Sequence, residues 1–138
     1  MRSLVWLRAD LRLEDNPALK EACTTHEEVQ AVYIFSKNQL AFHNEANVKI
    51  EFIVENLYLL EKSLSELNIP LTILQSDGFE EDPKLIQDIS LKRNIDKVYW
   101  NKQFGEDESN RDSIALNLLE KNNIKVESFY ESVVHEPG

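Results

Sequence analysis

The stretch Val5-Trp6-Leu7-Arg8-Ala9-Asp10-Leu11-Arg12-Leu13-Glu14-Asp15-Asn16-Pro17-Ala18-Leu19 decides the fold. An apolar, strand-like run ends abruptly in charged residues at Arg8. The chain then restarts as a helix behind Asp15 or Asn16, either of which can cap it. Pro17 takes the first helical position, where its missing N–H is no loss. A strand that leads through a charged loop into a helix opens a βαβ unit, and in open α/β sheets ligands sit at such loops.

Outward from this segment, short apolar runs alternate with longer stretches of helical period. That alternation predicts an α/β fold, a parallel sheet with helices on both faces. The five predicted strands are Leu4–Leu7, Val29–Phe35, Leu71–Leu74, Lys97–Trp100 and Lys125–Phe129, with the first near the centre of the sheet. Ile53, Leu57, Leu60, Leu64 and Leu67 recur at three- and four-residue steps, which lays one apolar stripe on a helix from about Ala46 to Leu67. Asp82 ahead of Pro83 and Asp107 ahead of Ile114, Leu118 and Leu119 mark two further helix starts. Trp6 and Trp100 fall within strands and are read as core residues.

The 138 residues fit one domain, 1–138, able to bury roughly two thirds of the surface of the unfolded chain. Cys23 is the single cysteine, and His26, His43 and His135 are far apart, so no disulfide scaffold and no metal site is expected. The apolar run Leu4 to Leu7 is too short for a signal peptide or a membrane span, which makes a cytoplasmic protein without a membrane partner the expectation. A formal net charge of −10 opposes the DNA backbone.

The loop Arg8 to Pro17 contains no glycine, which disfavours a dinucleotide fingerprint. Gly78 and Gly105 stand alone, so there is no P-loop, and no G-x-S-x-G elbow is present. No catalytic residue is assigned. Arg8, Asp10 and Arg12 alternate onto one side of an extended segment, and two readings fit them: an ion-paired loop capping the sheet, or a ligand contact. The segment Trp100 to Asp112 also has two readings. Asp107 can cap the helix that follows, with Glu106 and Glu108 complementing its dipole, or the acids can meet a ligand.

From Trp6 to Leu19 the chain closely resembles the W-x-R-x-D-L-R-x-x-D-N-x-A-L opening of DNA photolyases and cryptochromes. The resemblance continues through Phe52-Ile53-Val54-Glu55-Asn56-Leu57 and Pro70-Leu71 to Pro137-Gly138. It implies a Rossmann-like five-stranded domain that holds a light-harvesting antenna, either methenyltetrahydrofolate or a deazaflavin. Asn101, Gln103, Phe104, Glu108, Arg111 and Asp112 match the folate-binding stretch of such relatives. Asp107 stands where they have asparagine and, when ionised, only accepts hydrogen bonds. Lys49 holds the position of an arginine in deazaflavin-binding relatives, keeping its charge without the planar fork.

The antenna site implied by the resemblance comprises Glu108, Asp107, Arg8, Asp10, Asn101 and Lys49. The resemblance further implies a separate helical C-terminal domain, absent from this chain, that carries FAD and contacts UV-damaged DNA. In the full-length parent that reaction is light-driven repair of cyclobutane pyrimidine dimers, with this portion inactive alone. A cryptochrome photoreceptor and a stand-alone nucleotide-binding α/β module are the alternatives.

Overall fold

The computed structural model describes residues 1–8, 11–25, 28–36 and 46–130, the side chains of 46–50 excepted. Strands β1 (Arg2–Leu7), β2 (Glu28–Ser36), β3 (Leu71–Ser76), β4 (Lys97–Asn101) and β5 (Lys125–Phe129) alternate with the described helices. These are α1 (Pro17–Thr25), α2 (Ala46–Glu66), α3 (Asp82–Lys92) and α4 (Glu106–Lys121). Every strand pair is parallel and the order is β3-β2-β1-β4-β5, which puts β1 in the middle, as its unbroken apolar run requires.

Because side chains alternate along a strand, β1 feeds two cores. Leu4 and Trp6 join Val98 and Trp100 beneath Ile86 of α3 and Leu119 of α4. Val5 and Leu7 join Ala31 and Tyr99 beneath Leu19 of α1 and Leu64 of α2. Trp6 and Trp100 are almost fully buried, with their rings edge to face and centroids 5.4 Å apart, which agrees with the core reading.

Helix starts differ in part from expectation. Asn16 caps α1, its Oδ1 accepting from the Leu19 N–H at 3.1 Å. Asp82 does not cap α3. It is the first helical residue, behind Glu81, and its side chain turns inward. Nor does Asp107 cap α4: the cap position is Gly105, and Asp107 is an exposed residue of the first turn.

Three helix ends share one device that is written plainly in the sequence. Asn68, Asn94 and Asn123 have φ of 62°, 55° and 62°, and each precedes a buried isoleucine. The N–H groups of Ile69, Ile95 and Ile124 donate to the carbonyls of Leu64, Ser90 and Leu119 at 2.9, 2.9 and 3.0 Å. Asparagine tolerates the left-handed turn that closes the last carbonyls, and the isoleucine then anchors the chain in the core as it turns toward the next strand. For this reason α2 stops at Glu66, and Leu67, expected to extend its apolar stripe, is exposed.

Candidate functional site

The carboxyl ends of β1 and β2 open into a cleft of about 450 Å³. Trp6, Tyr33, Phe52 and Phe79 give it aromatic walls, and Arg8, Arg12, Ser36, Asp82, Gln103 and Arg111 are among its polar groups. The placement follows from topology: in a parallel sheet every strand releases its following loop at the same edge, so residues remote in sequence converge there.

Arg8 directly follows the central strand and is buried. Its guanidinium lies over Trp6, 4.1 Å from the ring centroid, and 5.1 Å from that of Trp100. It donates to the Asn101 carbonyl at 2.9 Å and to the Asp112 carboxylate at 2.7 Å. Arg111, one turn into α4 from Glu108, donates to the same carboxylate at 3.1 Å and to Gln103 Oε1 at 2.6 Å. Its guanidinium also lies over Phe79 and Trp6. One carboxylate thus bridges two buried arginines stacked on aromatic faces, and Asp82 adds a second acidic group within their electrostatic reach.

Asp82 is 2 % exposed. Its Oδ1 accepts from Ser76 Oγ at 2.6 Å and its Oδ2 from Ser36 Oγ at 3.3 Å. Those serines end β2 and β3 and are direct partners in the sheet register, so parallel pairing places them side by side. Burial pushes the Asp82 carboxyl above the ordinary carboxylate range, against the opposing pull of the two serine hydroxyls, Arg111 and Arg8. Burial, and then the Asp82 charge, likewise push the Tyr33 phenol up.

Of the residues assigned from sequence, Arg8 lines the cleft. Asn101 is buried beside it as a clamp, its Oδ1 accepting from the Ala18 N–H at 3.0 Å and its Nδ2 donating to Asn16 Oδ1 at 2.7 Å. Glu108 is half-buried and folds back over Gly105, where a β-carbon would overlap its carboxylate. Asp107 is exposed. Asp10 and the side chain of Lys49 lie outside the described residues. Gln103 and Arg111, quoted in the Trp100 to Asp112 segment, line the cleft itself. Sequence reading did not find Ser36, Ser76 and Asp82, although a serine at the carboxyl end of two neighbouring parallel strands was a usable signal. Among the described residues no cluster could hold a metal ion, and no helix is long and apolar enough to cross a membrane.

A family model described as DNA photolyase matches residues 3–138. The deoxyribodipyrimidine photo-lyase of Escherichia coli K12 is 34% identical over 136 residues, covering 98% of this chain and 28% of its own length. Among solved structures, a bacterial class III photolyase from Agrobacterium tumefaciens superposes with a TM-score of 0.73 at 25% identity, over 99% of this chain and 27% of its own. The cryptochrome of Synechocystis sp. PCC6803 reaches a TM-score of 0.82 at 21% identity, over 94% of this chain and 27% of its own. The chain therefore spans under a third of the length of these relatives.

Proposed function

Since the chain belongs to the DNA photolyase family, we propose that it is the antenna domain of a light-driven DNA repair enzyme acting in the cytoplasm, and that the cleft holds a flat light-absorbing heterocycle, a folate or a deazaflavin. The observation that carries this reading is the cleft: aromatic walls and a few buried polar groups at the carboxyl edge of the central strands. Trp6, Tyr33, Phe52 and Phe79 enclose a ring and exclude water from it. The paired arginines Arg8 and Arg111 hold the floor rigid through Asp112. Asp107 and Glu108 are assigned to the rim, where Glu108 stands one turn before Arg111, and Asn101 supports Arg8 from behind; Asp10 and Lys49 are assigned to antenna binding on the family match alone.

When bound, the antenna passes excitation to reduced FAD, and the cofactors carry out the repair chemistry. In this reading FAD and the face that meets pyrimidine-dimer DNA belong to a helical C-terminal domain, which is why a net charge of −10 here does not oppose the substrate. The chain alone then splits no dimers in light.

The test is a fluorescence titration of the protein with methenyltetrahydrofolate and, separately, with riboflavin as the tricyclic probe. Saturable one-to-one binding of at least one is expected. Phe52→Ala should weaken it roughly tenfold through the lost ring contact, with melting unchanged because that ring is 67% exposed. Saturable binding of neither probe would overturn the assignment of the cleft.

A further inference from the structure

The cleft contains one acidic group that neither the family pattern nor the sequence reading assigned, and its surroundings restrict what it can meet. Asp82 lines the cleft yet is almost wholly buried. Ser36 and Ser76 fix both carboxylate oxygens. An ionised carboxylate offers about four lone-pair sites, so two serine hydroxyls leave acceptor capacity over. Among the described residues no lysine or arginine forms an ion pair with Asp82. Two arginines of the cleft that act on its charge, Arg8 and Arg111, are bound to Asp112.

Resting on the reading of the cleft as a heterocycle site, we infer that Asp82 determines its specificity: the carboxylate, clamped by Ser36 and Ser76, accepts from a ring edge that presents two adjacent N–H donors, as a 2-amino-4-oxopyrimidine ring does. A ring edge that presents carbonyls on both sides of one N–H sets an oxygen against the carboxylate and binds more weakly. In a desolvated cleft such a mismatch leaves acceptors facing each other without a proton between them, which is where discrimination is greatest.

Pterin and lumazine supply the comparison, because they differ only in an amino group exchanged for an oxo group at the edge in question. Fluorescence titration of the protein should show pterin bound at least about tenfold more tightly than lumazine. Asp82→Asn should shrink that ratio below about threefold while melting stays within a few degrees, since the amide keeps the shape and one acceptor. Glu28→Gln, which alters an exposed carboxylate at the amino-terminal start of β2 and outside the cleft, should preserve the pterin preference. Equal affinities in the unmodified protein would overturn the inference and leave the cleft as a heterocycle site. So would a preference abolished by Glu108→Gln and kept in Asp82→Asn, or riboflavin binding with no pteridine binding. Failure of the folate, the flavin and both pteridines together would overturn the cleft assignment as well.

Discussion

Replacing Asp112 by alanine tests whether the floor of the cleft is the rigid, desolvated assembly described above. The carboxylate accepts from Arg8 Nη2 at 2.7 Å, Arg8 Nη1 at 3.4 Å and Arg111 Nε at 3.1 Å. The two arginine side chains are 3% and 4% exposed and that of Asp112 is 14% exposed. Alanine removes the carboxylate that the two buried like charges share. Breaking a buried pair from one side costs about 3–5 kcal/mol, and the partial exposure of Asp112 places the expectation near the lower end, about 3 kcal/mol. With an unfolding entropy of about 2.1 cal/mol/K per residue, that loss lowers the melting temperature of a chain of this size by roughly 10 °C.

The assay is urea unfolding followed by far-ultraviolet circular dichroism and by the emission of Trp6 and Trp100, whose rings Arg8 covers. The surface pair Arg2–Glu28, with side chains 42% and 61% exposed, is the control. Its loss should cost under about 1 kcal/mol and fade in high salt, while the Asp112 effect persists. A loss under about 1 kcal/mol for Asp112→Ala would refute the reasoning, because it would mean that water already screens the cluster.

Two further outcomes follow from the same structure. Asn123→Ala should destabilise by about 1 kcal/mol, because alanine is strained at the φ of 62° that the end of α4 requires, while Asn123→Gly should fall within about 0.5 kcal/mol of the parent; urea midpoints decide, and equal effects would contradict the left-handed stop. The Asp82 carboxyl is raised chiefly by burial, so the native chain keeps a proton that the unfolded chain has already lost. Stability should therefore fall as pH rises from the ordinary carboxylate range through the raised native value, and Asp82→Asn should gain on the parent across that window and run parallel above it. A stability difference independent of pH throughout the acid range would count against the burial of that charge.

Local pattern was enough to recover the sheet. The run Leu4 to Leu7 could only be a strand buried on both faces, and the alternation of short apolar runs with helical stretches ordered the remaining elements. Strand ends were read one or two residues short at Ser36, Ser76 and Asn101, where polar side chains continue the ladder, because their hydrogen-bond partners come from other elements. The Asn-Ile stops were also legible, since a left-handed asparagine before an apolar anchor is a local signal. The family motif fell on the loops after β1 and β4, and both contribute residues to the cleft.

Tertiary structure decided what each residue in those loops does. Asn101, matched to a chromophore-binding position, proved to be the clamp between β4 and the start of α1. Asp82, read as a helix cap, became a buried carboxylate because parallel pairing sets Ser36 beside Ser76 and turns it toward both. Helix propensity, capping and hydrophobic period act over a few residues and are written in the chain. The cleft gathers Arg8, Ser36, Asp82 and Arg111 from four separate segments, and only crossovers that return every strand to the same edge can bring them together.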